Sequence, residues 1–92
     1  MAWKIELSKT ADKAIRKLDK TTAARILDTL EQISHLDDPR TRGKALTGNL
    51  TGLWRYRIGD YRAICTIEDN KLAVLVLDIG HRKNIYKHPQ EH

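Results

Sequence analysis

The run Leu53-Trp-Arg-Tyr-Arg-Ile-Gly-Asp-Tyr-Arg62 constrains the fold more than any other stretch of the chain. Apolar and basic residues alternate at the two-residue period of a β-strand, so Arg55 and Arg57 project from one face and Trp54, Tyr56 and Ile58 from the other. Gly59-Asp60 reads as a two-residue hairpin turn. If it closes as one, Ile58 pairs with Tyr61, Arg57 with Arg62 and Arg55 with Ile64. Directly opposed residues share a face, so the pattern predicts a plate of Arg55, Arg57 and Arg62 on an apolar backing. Like charges held together in this way cost free energy unless an anion sits on them.

The surrounding chain supplies the backing. Trp3 to Leu7 alternates and reads as a first strand. Ser8 is placed to cap a helix carrying Ala11, Ala14, Ile15 and Leu18 on one side, and Asp19 a second carrying Ala23, Ile26, Leu27, Leu30 and Ile33. Asp37-Asp38-Pro39 stops the second helix. Residues 39 to 52, with Arg40, Arg42 and Lys44 among glycines, proline and threonines, read as a polar loop and not as an element. Strands follow at 53–58, 61–68 and 71–79, with a turn at Asp69-Asn70. Leu72 to Leu77 is apolar throughout, the pattern of an interior strand covered on both faces. The expected architecture is α+β with the order β-α-α-β-β-β, a helical hairpin packed on one small, mainly antiparallel sheet, in a single domain spanning 1–92.

Charge is distributed unevenly. The net charge is +5; residues 1 to 39 carry seven basic and seven acidic residues, whereas residues 40 to 92 carry ten and five. The excess in the second half points to a polyanionic partner, nucleic acid or an acidic polypeptide. The chain has no apolar run of membrane-spanning length and its N-terminus lacks a signal-peptide core, so no membrane role and a cytoplasmic location are expected. Cys65, the single cysteine, lies in an apolar strand pattern and reads as a buried thiol. No phosphate-binding glycine loop, paired-cysteine motif or His-Glu-x-x-His is present, and the four histidines are spread too widely for a metal site. Neither metal nor cofactor is expected. Arginine forks on a rigid sheet suit a phosphate and its pentacoordinate transition state, while Tyr86 and His81, flanking Arg82, are placed to donate or relay protons.

Over nearly its whole length the chain resembles a RelE-type toxin of the RelE/ParE superfamily, the toxin half of a toxin-antitoxin pair. The resemblance is carried by Leu7-Ser-Lys-Thr-Ala11, Lys17-Leu-Asp19, Asp38-Pro-Arg40, Lys44-Ala-Leu-Thr-Gly48, the run 53–62 above and Gly80-His-Arg-Lys-Asn-Ile-Tyr86. It implies a metal-independent endoribonuclease that cuts messenger RNA in the ribosomal A site, through attack of the ribose 2′-hydroxyl on the adjacent phosphate. By the same resemblance Arg55, Arg57, Arg62, Arg82 and Tyr86 are the catalytic set, His81 and His88 are candidates for proton transfer, and Arg40, Arg42, Lys44, Lys83 and Lys87 are further RNA contacts. Well-described members carry lysine where this chain has Arg55 and Arg57, and arginine does not give up its proton. The base is then another group, with His81, His88 and Tyr86 as candidates, or the plate positions and stabilises charge while water or the ribosome takes the proton. Implied partners are a cognate antitoxin, messenger RNA with 16S ribosomal RNA, and operator DNA only through the antitoxin complex. Two alternatives stand beside this: a ParE-like inhibitor of DNA gyrase, and a non-catalytic co-repressor that binds its antitoxin.

Overall fold

The computed structural model describes residues 3–83. Seven elements follow in order: β1 (Lys4–Leu7), α1 (Lys9–Arg16), α2 (Lys20–Ser34), β2 (Lys44–Ala45), β3 (Trp54–Ile58), β4 (Tyr61–Glu68) and β5 (Ala73–His81). They form one five-stranded sheet of order β1-β5-β4-β3-β2, with β1 parallel to β5 and every other pair antiparallel. The α+β architecture expected from the sequence is therefore present, with one strand more than the sequence pattern declared. The expected polar loop 39–52 contains β2, whose Lys44 and Ala45 pair with Arg55 and Trp54. Two residues are too few to show any alternation, so β2 exists only because β3 offers it an edge.

Both helices begin where their caps predict. The Ser8 hydroxyl accepts from the Ala11 amide at 3.0 Å and donates to the Leu77 carbonyl at 2.7 Å, so one side chain starts α1 and fastens it to β5. Asp19 accepts from the Thr22 amide and hydroxyl at 3.1 and 2.6 Å, and these bonds hold its carboxyl below the usual range. From these starts the helical period turns Ala11 and Ile15 of α1, and Ile26, Leu30 and Ile33 of α2, toward the sheet. There they bury Tyr56, Ile58, Ala63, Cys65, Val74, Val76 and Ile79 in one continuous core. The helices make their main contacts with the sheet, α1 on β5 and α2 on β1 and β3, rather than with each other. Cys65 lies fully inside, where burial pushes its thiol up to about 12. That thiol stays protonated and inert at neutral pH.

Strand ends differ from the expectation for local reasons. Trp3 lies just before β1 because its amide donates to the Ser34 carbonyl at the end of α2. β5 starts at Ala73 and not at residue 71, because the connection from β4 takes four residues: a 3₁₀ turn over Asp69–Lys71, closed by Leu72 with φ of 51°. Leu72 is the one described non-glycine residue in the left-handed region. Pairing also shifts between Ile64, opposite Asp78, and Cys65, opposite Val76, so Leu77 is the extra residue of a bulge. Beyond it Ile79 points into the core and Asp78 away from it. β5 is an interior strand, though Leu75 and Leu77 on the helix-free side are half-buried.

Arg40 joins two of these turns. From the 3₁₀ turn Pro39–Thr41 its guanidinium donates to both oxygens of Asp69, at 2.9 and 2.6 Å. The Arg40 hydrogen bonds hold the Asp69 carboxyl below its ordinary value. The folded state binds that proton less well than the unfolded chain does. The pair's contribution to stability is thus complete above the unfolded aspartate value of about 3.9 and lost as pH falls below it through the folded value. Asp69→Asn should lower the neutral plateau of an unfolding-midpoint titration by the small contribution of an exposed pair and converge on the parent at acid pH, so that its acid limb is flatter. At the other cap, Ser8→Ala should cost about 1–2 kcal/mol, read as a lower denaturant midpoint with an unchanged slope.

Candidate functional site

The helices cover one face of the sheet, and the register of β3 and β4 decides what lies on the other. Trp54 pairs with Cys65, Arg55 with Ile64, Tyr56 with Ala63, Arg57 with Arg62 and Ile58 with Tyr61, the pairing predicted from the two-residue turn. Since Tyr56, Ile58, Ala63 and Cys65 are core residues, Arg55, Arg57 and Arg62 necessarily face away from the helices. Three further pairings complete the rows: Lys44 lies opposite Arg55, and Gly80 and Asp78 of β5 lie beside Arg62 and Ile64. One row across the sheet reads Lys44, Arg55, Ile64, Asp78, and the next Arg57, Arg62, Gly80.

These cations sit in different surroundings. Arg62 is 9% exposed, and its Nη1 donates to the Gly59 and Tyr61 carbonyls at 3.2 and 3.0 Å, which fixes its guanidinium over its own turn. Arg55 is half-buried beside Ile64, itself only 3% exposed on this helix-free face. Arg57, Lys44, Arg82 and Lys83 are exposed. Among the described residues the ion pairs are Arg16 with Asp12, Arg40 with Asp38 and Asp69, and Lys71 with Glu68, so none takes up Arg57, Lys44 or Arg82. The Arg82 amide donates to the Asp60 carbonyl at 2.8 Å, which brings the residue after β5 against the hairpin tip, two positions beyond Gly80, the partner of Arg62. A cleft of about 250 Å³ is lined by Arg42, Gly43, Lys44, Arg55, Tyr56 and Arg57. Lys44 with Arg55 and Arg57 with Arg62 are paired across adjacent strands, a Cα separation of about 5 Å that is shorter than the screening length of about 8 Å in physiological salt.

The cleft depends on Gly43. Its φ is +77°, and a Cβ there would meet the Arg55 carbonyl, the Trp54 Nε1 at 2.6 Å and the Tyr56 ring at 2.9 Å. Only a residue without a side chain lets the loop lie this close on β3. Two hydrogen bonds hold it down: the Trp54 indole donates to the Arg42 carbonyl at 2.7 Å, and the buried Tyr56 hydroxyl to the Pro39 carbonyl at 2.8 Å. Burial raises the Tyr56 phenol, so it stays a donor at physiological pH.

Not every expected residue joins the plate. Arg40 is engaged by Asp69 beyond the far end of β4, about 20 Å from Arg62 at ~3.3 Å per strand residue. It serves as a clamp between turns, not as an element of the cleft. His81 pairs with Tyr61, its ring 5.6 Å away edge to face, and shares Tyr61's helix-side orientation, so it points away from the arginines. Its Nδ1 accepts from the Lys83 amide at 3.3 Å. Arg42 lines the cleft and also reaches Gln32 of α2 at 3.4 Å. Tyr86, Lys87 and His88 lie outside the described residues. Sequence reasoning missed Asp78, which the bulge turns to this side, Gly43, and Arg25 of α2, whose Nη1 would lie 3.4 Å from a Cβ on Gly59 at the hairpin tip. Nothing local in the sequence marks any of the three. Among the described residues no three His, Cys, Asp or Glu side chains group to hold a metal ion.

The fold and basic face can be set beside known proteins. The model of a family described as the ParE toxin of the type II toxin-antitoxin system parDE matches residues 5–86. The chain belongs to the RelE/ParE family of toxins. This toxin is 28% identical over 88 residues to Toxin RelG of Mycobacterium tuberculosis, covering 95% of this chain and 99% of that protein. It is likewise 28% identical over 85 residues to Toxin RelE of the same organism, covering 92% and 87%. Among solved structures it resembles a chain of the toxin-antitoxin complex RelBE2 of M. tuberculosis, with a TM-score of 0.81 and 26% identity over 91% of this chain and 95% of that one. It also resembles a chain of the archaeal RelE-RelB complex of Pyrococcus horikoshii, at 0.70 and 26% over 91% and 99%.

In this toxin Gly43→Ala should push loop and strand apart and destabilise by about 1–3 kcal/mol from backbone strain alone. Thermal unfolding measures the cost, and loss of the Trp54 indole proton's hydrogen-bonded shift in NMR reports the opened loop.

Proposed function

We propose that this toxin is a ribosome-dependent endoribonuclease that cuts messenger RNA in the A site, with the basic face of β3 and β4 receiving the scissile phosphodiester. One observation carries the reading: the register places Lys44 and Arg55 in one row and Arg57 and Arg62 in the next, on the face that no helix covers. Guanidinium forks match phosphate oxygens two at a time. Donors held in advance at the site of developing charge favour the pentacoordinate transition state over the ground state. Arg62, fixed by two carbonyls, suits that second task, and exposed Arg57 suits capture of the incoming strand.

In the proposed reaction the 2′-hydroxyl oxygen forms a bond to the adjacent phosphorus as the bond from phosphorus to the 5′-oxygen breaks. The products are a 2′,3′-cyclic phosphate and a 5′-hydroxyl, and the leaving oxygen gains a proton. Arg55 and Arg57 do not accept the 2′-hydroxyl proton, because guanidinium remains charged throughout the physiological range. Their work is orientation and charge stabilisation. His81 faces the opposite side of the sheet, which favours water or a ribosomal group as acceptor over this histidine.

A second reading, inhibition of DNA gyrase, draws support from the ParE description of the matching family. The two are separated by mapping message ends and DNA damage after induction. Message cuts clustered within codons of translated genes are expected; intact messages with damaged DNA would reverse the choice. Arg57→Ala with Arg82→Ala, both exposed and so compatible with the fold, should reduce cleavage by more than about 10²-fold, the usual effect of removing a transition-state donor. Undiminished message cleavage by the pair would reject the site.

A further inference from the structure

The arginine face carries one side chain that a phosphate repels. The bulge at Leu77 turns Asp78 to the helix-free side, where it stands in the row of Lys44, Arg55 and Ile64 and diagonally from Arg62, about 7–8 Å away. Its Oδ1 accepts from the Ile79 amide at 2.8 Å, which orients the carboxylate, and none of the ion pairs among the described residues uses it. Leu75 and Leu77, both half-buried, adjoin it on the same face. Glu6, opposite Leu75, is the next carboxylate and lies one row further from the arginines.

An ionised carboxylate only accepts hydrogen bonds, and so does a phosphodiester. Beside a phosphate-binding plate Asp78 therefore costs affinity unless the bound strand offers it a donor. RNA has donors of two kinds, the 2′-hydroxyl and the N–H groups of its bases. Position separates them. The Arg62 guanidinium hangs toward the hairpin tip, on the Gly59 and Tyr61 carbonyls, whereas Asp78 lies two strand residues, about 7 Å, to the other side. An attacking 2′-oxygen is about 3–3.5 Å from its phosphorus, too close to a phosphate on Arg62 to reach back to Asp78. A base edge stands farther out from the phosphate and spans that gap, while Leu75 and Leu77 offer its ring an apolar surface.

Among the four bases guanine matches two carboxylate oxygens best. It presents N1–H and N2–H2 side by side, adenine and cytosine one amino group beside an acceptor nitrogen, and uracil one N–H between two carbonyls. We infer that Asp78 is a specificity-determining residue that accepts from the Watson–Crick edge of a guanine flanking the scissile phosphate, so that the toxin cuts preferentially beside guanine. The inference rests on the proposed message cleavage and adds to it which base the cut selects. It gives Asp78 no proton transfer.

The test uses the full-length toxin and translating ribosomes programmed with messages that differ by one base on either side of a single cut site. The parent should cut the guanine message at least about fivefold faster than the other three, the low end of what a bidentate base contact is worth. Asp78→Asn keeps an acceptor for the Ile79 amide and presents one acceptor beside one donor, the set that matches adenine. Its preference should therefore move from guanine to adenine, and Asp78→Ala should lose the guanine preference. Glu6→Gln, which removes the neighbouring carboxylate, should retain it. The same base preference in parent, Asp78→Asn and Asp78→Ala would overturn the assignment. So would an equal fall in rate at every base with an unchanged thermal midpoint, which would make Asp78 a group of the chemistry instead. A parent that cuts no message overturns the cleavage reading itself, whereas cuts that ignore residue 78 overturn this inference alone.

Discussion

Burial of one face of the β3–β4 hairpin is the constraint on which the rest depends. Tyr56, Ile58, Ala63 and Cys65 are held against α1 and α2 by the hydrophobic effect, and a strand has only two faces. Driving these four side chains inward leaves Arg55, Arg57 and Arg62 no direction but outward, in adjacent rows. Slipping one residue would bury three guanidinium groups and expose the core, a change far larger than the few kcal/mol by which small domains are stable. The cationic plate is thus a by-product of packing, held in place by the stability of the whole domain.

The loop before β3 adds to that plate by close approach. Gly43 lies on β3 where no Cβ fits, and the carbonyls of Pro39 and Arg42 are tied down by Tyr56 and Trp54. The same aromatic residues that line the core side of β3 thereby position the loop that carries Lys44 to the opposite side. Cation placement and core packing are coupled through one strand. The five-stranded sheet then separates two surfaces of opposite chemistry. At one end lies a basic cleft suited to phosphate, and at the other an apolar groove beside an open edge.

Much of this was legible in the chain. Ser8 and Asp19 cap the helices they were expected to cap, because capping is a bond between near neighbours. The hairpin register followed from a two-residue turn and strict alternation, again local information. What could not be read was long-range. β2 needed an edge to pair with, Arg40 needed Asp69 twenty-nine residues later, and His81 took the helix side because of where Tyr61 lies.

By itself, then, the sequence determined which residues can be inside: the periods of the helices and strands, the caps and the turn at Gly59-Asp60 are set by steric and hydrogen-bonding preferences acting over a few residues. The same local rules set Arg55, Arg57 and Arg62 on one face, and tertiary structure alone decided which other charges join or leave them. The bulge at Leu77 turned Asp78 out and Ile79 in, and left-handed Leu72 delayed the start of β5 by two residues. Arg40 was drawn away to a carboxylate while Lys44 was brought to Arg55. Charged side chains find their neighbours through space, and those neighbours are fixed only when strands distant in sequence settle their register.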